Sequence, residues 1–390
     1  IRGRERKRKM SQYCRGRNRM SRRDFLRAGG SAALGVLLAG CQSADPTELP
    51  KPTPTPLPTA PPAVRPAAPA SVAIAAANDY DRKLITQRVR DLLDGIGGLS
   101  DVVRSGDRVA IKTNLTGGTS ARPLPGVSAV ESYVTHPEVV RALGEMVRDA
   151  GAKELLIVEA VYEWDSYKRW GYEEVAEDIG ATLIDLNHPE PYSDFAATAV
   201  GDDALIYPDF TFNHVLEDVD VFMSVSKMKN HWWAGVTHTM KNLFGLVPAR
   251  FYTLEKEHNW RSAFHGEGNE PTTRIPRVIT DLNRARPVHL GLIDGVKTTQ
   301  SGEGPWIEGL SPIEPGVMIA GKDPVATDAV ATAAMGYDPT AERPDPPFIR
   351  GDNHLNIAYE LGLGTNRLDD ITVVGHSIDD VRTAFEPCWG

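Results

Sequence analysis

Short apolar runs rich in β-branched residues alternate with helical periodicity across residues 72–374, and no other feature limits the fold as much. Runs at 72–75, 108–111, 155–158, 182–186, 219–225, 289–293, 317–320 and 371–374 have the length of strands. Helical patterns fall between them at 82–93, 138–150, 167–179, 274–284 and 324–335. Parallel strands need crossover connections, and helices between strands supply them. The pattern predicts an α/β fold: a doubly wound, mostly parallel sheet with helices on both faces. No internal repeat is visible.

The stretch 219–245 concentrates the polar chemistry. Val219, Val221, Phe222, Met223 and Val225 read as a strand buried on both faces. Lys227, Lys229 and His231 follow at once, then two tryptophans and a Gly. Residues 237–244 have helical character, which would put Thr237 and Lys241 on one face and His238 and Asn242 on another. Lys112 and Asn114 likewise follow the strand at 108–111. In open α/β sheets the ends of parallel strands are where ligands sit. Cations and amides gathered there suit a carboxylate or phosphate.

The N-terminal part reads as targeting sequence. Met20 is expected to start an export signal with the pair Arg22-Arg23 followed by Phe25-Leu26, a twin-arginine pattern. The apolar segment 32–38 is too short to span a bilayer. It ends in Leu38-Ala39-Gly40-Cys41, which resembles a lipobox, so Cys41 is the expected lipidation site. Residues 1–41 are thus an extension plus signal, and 42–70 a Pro-rich tether that favours extended polyproline conformations. Residues 71–390 form the α/β domain. The expected partners are the twin-arginine translocase and a membrane, reached through the lipid anchor. The expected location is the outer face of the cytoplasmic membrane or the periplasm.

Composition then excludes several functions. Residues 42–390 hold 31 Lys and Arg against 50 Asp and Glu, a net charge of −19. Nucleic-acid binding needs a basic surface, so no nucleic acid is expected as a partner. Cys388 is the one cysteine after Cys41, so no iron–sulfur cluster or zinc site of the CxxC type can form. No HExxH, P-loop or GxGxxG occurs, so no nucleotide motif is present. Any metal must be held by His, Asp, Glu or backbone oxygen. Asp294 follows a strand, Glu303 sits in a Gly-Glu-Gly-Pro turn, and Asp323 precedes Pro324 as a helix cap. Asp328 lies in a helix that is apolar nearly all round. A carboxylate there must be paired, metal-bound or protonated, and Lys241 is the nearest candidate partner by pattern. His258 and His265 lie in a polar stretch expected to cover the site.

These pieces occur in a recognisable order. Lys112-Thr113-Asn114, Thr135-His136-Pro137, the Lys227-to-His231 run, Lys241-Asn242-Leu243-Phe244-Gly245, Asp294-Gly295, Gly302-Glu303-Gly304-Pro305 and the run from Asp323 to Asp328 resemble the family called domain of unknown function 362. Many members resemble this chain but add a ferredoxin-type iron–sulfur module, whose cysteines are absent here. The resemblance implies a fold and a site but no reaction.

The expected function is an exported, lipid-anchored enzyme acting on a small anionic ligand with a divalent metal. Lys112, Asn114, Lys227, Thr237, Lys241 and Asn242 would hold the anion, and Lys229 would join His231 as a catalytic residue. His231 would be the acid/base group, since an ordinary imidazole titrates near neutral pH. Lys229 and His231 are expected to serve the ligand and not the fold. Asp294, Glu303, Asp323 and Asp328 would hold the metal. The alternative is a non-enzymatic lipoprotein that binds an anion or a metal. A redox partner is disfavoured by the missing cysteines.

Overall fold

The computed structural model describes residues 69–121, 124–255 and 260–388. The export signal, Cys41, most of the tether and His258 lie outside the described residues. Within them the strands are β1 (Ala70–Ala76), β2 (Arg108–Lys112), β3 (Glu154–Glu159), β4 (Thr182–Asp185), β5 (Phe195–Ala199), β6 (Asp209–Asn213), β7 (Val221–His231), β8 (Gly235–Thr237), β9 (Leu290–Gln300), β10 (Ser311–Ile313), β11 (Val317–Gly321) and β12 (Ile371–Gly375). The longer helices are α1 (Arg82–Gly95), α2 (Pro137–Asp149), α3 (Tyr172–Ile179), α4 (Pro271–Ala285), α5 (Pro324–Ala334) and α6 (His354–Glu360).

Eight strands lie side by side in the order β12-β1-β11-β9-β7-β2-β3-β4. Neighbours from β9 to β4 pair in parallel, as do β1 and β12. Only β11 opposes its two neighbours, β1 and β9. The short strands β8 and β10 fold back on β7 and β9. The expected doubly wound, mostly parallel sheet is therefore present.

Side-chain alternation builds the two layers. Val109, Ile111, Leu155, Ile157, Met223 and Val225 point to the face covered by α1, α2 and α3. Ala110, Leu156, Val158 and Phe222 point to the other, where α4, α6 and the β5–β6 hairpin pack. Farther along that face α5 covers Val72, Ile74, Ile293 and Ile319. The direction of winding reverses between β2 and β7: α2 leads from β2 towards β3 on one face, and α4 leads from β7 towards β9 on the other. Crevices for ligands open at such reversals, beyond the strand C-termini.

Four local expectations differ from the structure. The helix expected at 167–179 is two helices, because Gly171 takes φ 81° between them. Residues 237–244 are not one helix. Thr237 ends β8, opposite Lys229 of β7, and a 3₁₀ turn starts only at Lys241. The central strand does not stop at Val225 but continues, fully buried, through Lys227 and Lys229 to His231. The β5–β6 hairpin forms a small second sheet absent from the sequence reading.

Candidate active site

A cleft of about 620 Å³ opens where β2, β3 and β7 end. Lys112, the last residue of β2, lies against Glu159, the last residue of β3, at 2.9 Å. Its ammonium also donates to the Thr113 carbonyl at 2.6 Å and to Asn242 Oδ1 at 3.3 Å. Asn114 donates to the same Asn242 oxygen at 3.0 Å, and Asn242 in turn donates to Ser224 Oγ at 3.0 Å. The pair Lys112–Glu159 needs space that a side chain would fill. A Cβ at Gly245 would overlap both charged groups, so the turn after Phe244 requires glycine there. Lys112, Asn114 and Asn242, expected together from two separate motifs, form one hydrogen-bonded group.

Two further cations face the cleft. Arg261 is buried and donates to the carbonyls of Val247 and Ala160. Among the described residues no carboxylate pairs with it. Lys241 lies at the start of the 3₁₀ turn with its Nζ 3.6 Å from the centroid of the Phe244 ring. It makes no hydrogen bond or ion pair within the described residues. Burial, with Arg261 and Lys112 nearby and Glu303 opposing, lowers its pKa to about 7. A charge left this way must find a partner or give up its proton.

His231 ends β7, and its Nδ1 accepts from the backbone N–H groups of Trp233 and Ala234 at 3.2 and 3.1 Å. A nitrogen that accepts twice carries no proton, so Nε2 holds it and is free to donate to a ligand. Burial first, and then Lys241 and other cationic neighbours, push the pKa of His231 well down. His231, expected as the acid/base group, is thus a neutral imidazole on the cleft wall with its proton on Nε2. His265 has the opposite polarity. Its Nδ1 faces the Arg261 carbonyl at 3.2 Å, which leaves Nε2 as an acceptor, and burial holds its pKa to about 4.

Glu303 lines the cleft and ties two aromatic residues together. Its carboxylate accepts from the Trp232 backbone N–H at 3.0 Å and from the Trp306 indole at 3.1 Å. Trp306 fits against Gly117 and Gly304, where a Cβ at either would overlap the ring. Trp232, Trp233, Trp260 and Trp306 all line the opening.

The remaining expected site residues lie elsewhere. Lys227 pairs with Asp294 at 2.9 Å in the sheet interior, and Asp294 also accepts from Tyr80 and the His136 backbone. Lys229 donates to the carbonyls of Tyr133 and Glu303, and burial lowers its pKa to about 7. It sits inside a buried strand, so the expectation that it leaves the fold unaffected does not hold. Thr237 is buried in the β7–β8 hairpin. Asp323 caps α5 through the N–H groups of Val325 and Ala326. Asp328 accepts from the N–H groups of Thr239 and Met240 at 2.8 and 2.9 Å and does not reach Lys241. The four carboxylates expected to share a metal are therefore each engaged separately. Among the described residues no three His, Cys, Asp or Glu gather as a metal site.

Glu159, Arg261 and His265 complete the cleft. Glu159 follows β3 as Lys112 follows β2, so the strand-end rule could have found it. His265 was expected near the site, but no local pattern marks Arg261.

The fold and this cleft define a class: a doubly wound α/β protein with buried cations gathered at its winding reversal. The chain belongs to the family described as domain of unknown function (DUF362), which matches residues 109–333. It is 28% identical over 269 residues to the thylakoid-associated protein sll1697 of Synechocystis sp., covering 69% of this chain and 75% of that one. Among solved structures, the lactate racemase apoprotein from Thermoanaerobacterium thermosaccharolyticum aligns at 12% identity with a TM-score of 0.35, over 63% of this chain and 54% of that chain. A protein from Thermotoga maritima aligns at 12% identity with a TM-score of 0.31, over 64% and 57%. The chain thus spans just over half the length of these solved structures.

Proposed function

We propose that the chain is an exported, lipid-anchored enzyme whose cleft takes a small anionic substrate. One observation carries the site: Arg261 and Lys241 are buried on the cleft without a carboxylate partner among the described residues. A carboxylate or phosphate entering would meet both cations and the Nε2–H of His231. The Lys112–Asn242–Asn114 group would fix the floor beneath it. His231 as donor and His265 as acceptor on one cleft are the equipment for moving a proton on a bound ligand. No step is assigned to a metal, because Asp294, Asp323 and Asp328 are held elsewhere. Of the four carboxylates expected to bind one, only Glu303 lies on the cleft.

The second reading is a non-enzymatic anion-binding lipoprotein. What favours it is the weak basicity of both imidazoles, which suits holding a ligand better than taking its proton. Calorimetric titration of phosphate and of acetate into the full chain tests the shared part. Arg261→Ala should weaken binding at least about tenfold, the loss of one charge-assisted contact. Equal affinity in the variant, or no binding to the wild type, rejects the site. Turnover of the captured anion then separates enzyme from binder.

The anchor rests on Leu38-Ala39-Gly40-Cys41 after the arginine pair. That a relative is called thylakoid-associated accords with a membrane location. Cys41→Ser should move the protein from the membrane fraction to the soluble one. A wild type that is already soluble and takes up no labelled fatty acid would end the anchor proposal.

A further inference from the structure

Four lysines are buried in the described residues, and three have hydrogen-bond acceptors there. Lys112 faces Glu159, Lys227 faces Asp294, and Lys229 spends its ammonium on two backbone carbonyls. Lys241 differs from all three. It opens on the cleft, touches the Phe244 ring and has no acceptor among the described residues. The charged groups that act on it are Glu303, Arg261 and Lys112, and it in turn acts on His231, His265, His354 and Lys229.

An amine with no acceptor in a desolvated pocket is a poor structural element and a good nucleophile. We propose that Lys241 forms an imine with the carbonyl of a small oxo acid whose carboxylate sits on Arg261. This rests on the anion-binding reading above and names its substrate class. Arg261 stays charged at all working pH values, so it can hold the carboxylate while Lys241 acts as the free base. The lowered pKa of about 7 leaves roughly half of Lys241 unprotonated at neutral pH. An ordinary lysine has roughly a thousandfold less free amine there.

The chemistry balances without a co-reactant. The Nζ lone pair forms a bond to the carbonyl carbon, and the C=O π pair moves to oxygen. A proton passes from nitrogen to that oxygen, giving a carbinolamine. The nitrogen lone pair then closes C=N, the C–O bond breaks, and the oxygen leaves as water with the second nitrogen proton. One amine and one ketone give one imine and one water. The wall of Phe244, Trp233 and Trp260 limits the water that would reverse the last step.

Pyruvate with cyanoborohydride at neutral pH, followed by peptide mass analysis, reads this directly on the full chain. A reduced adduct should form on Lys241 in marked excess over the exposed Lys83 and Lys153. It should vanish in Lys241→Arg, a variant that keeps the charge and should still bind acetate. If Lys241→Arg fails to fold, competition replaces it: excess acetate should suppress the wild-type adduct. Acetate binding with no adduct, or with Lys241 no more reactive than Lys83 and Lys153, overturns the imine and leaves the anion site standing. Binding of neither acetate, phosphate nor pyruvate overturns both.

Discussion

Lys227 and Lys241 come from one stretch of chain and are both buried, yet their surroundings are opposite. Lys227 is enclosed by complements: Asp294 at 2.9 Å, the Tyr80 hydroxyl at 2.9 Å and the Val130 carbonyl at 3.2 Å. Tyr80 stacks on His136, whose backbone N–H also binds Asp294. Lys241 has an aromatic ring, two cations, the influence of Glu303 from beyond ion-pair distance, and open volume. The first arrangement satisfies every charge inside the fold and has no room for a ligand. The second leaves charge unsatisfied, which a fold alone has no reason to keep. The difference separates structural polarity from functional polarity where residue type cannot.

The largest effect should come from breaking the saturated nest. Asp294→Ala strands the Lys227 charge and frees Tyr80, and should remove about 3–5 kcal/mol of stability in urea unfolding. Adding Lys227→Met should restore much of that loss, since the pair is then replaced and not broken. A double variant as unstable as the single one would show that Asp294 acts through other contacts.

Asp328 gives the next largest effect and a pH signature. Its oxygens hold two backbone N–H groups at the entry to the 3₁₀ turn that presents Lys241. Burial raises its pKa to about 7. The folded state therefore holds this proton more tightly than the unfolded chain. Its contribution to stability is full below about pH 4 and falls away as pH rises from about 4 to 7. Asp328→Asn should flatten that slope in denaturant titrations across this range. It should also lose about 1–3 kcal/mol, because one backbone donor then faces an amide NH₂. An unchanged slope would mean the carboxylate titrates normally.

The fold was legible because it depends on period and length. Alternating apolar runs of four to seven residues and helical patterns with caps such as Asp323-Pro324 survive translation into structure almost unchanged. The cleft was half legible. Strand ends carry Lys112, Asn114 and His231 to one place, and the Lys-Asn-x-x-Gly turn brings Lys241 and Asn242 back to them. What failed was telling partners apart. Lys227 and Lys241 look alike as letters, and only the distance from Asp294 to one and not the other distinguishes them. The carboxylates failed for the same reason, since Asp323 and Asp328 bind backbone N–H groups that no sequence pattern displays.

Removing the lysine of the open region should have the reverse sign from breaking the closed one. Lys241→Met takes away an unpaired buried charge and should stabilise the fold by roughly 1–2 kcal/mol at neutral pH, at the expense of ligand binding. Because the folded-state pKa is lowered, wild-type stability should rise between about pH 7 and 10 as the unfolded chain alone stays protonated. The variant should lack that rise. Destabilisation by Lys241→Met would mean the Phe244 contact serves the core, and the contrast with Lys227 would weaken.

The smallest effect concerns Glu303, which stands between the two kinds of polarity. It accepts two N–H groups as a structural acid does, yet it faces the cleft and acts on Lys241. Glu303→Gln keeps one acceptor oxygen and turns an NH₂ towards either Trp232 or Trp306. Trp306 is 48% exposed, so its release should cost less than about 1 kcal/mol. The lost negative charge should matter more for the ligand. Acetate should bind roughly two- to fivefold more tightly at low salt, the scale of one partly screened charge, and the gain should shrink as salt is added. Tryptophan emission should shift as one indole loses its acceptor. Had Glu303 been a metal ligand, the same change would abolish a metal-induced rise in melting temperature and leave anion affinity lower, not higher. The sign of the affinity change therefore decides which kind of acid Glu303 is.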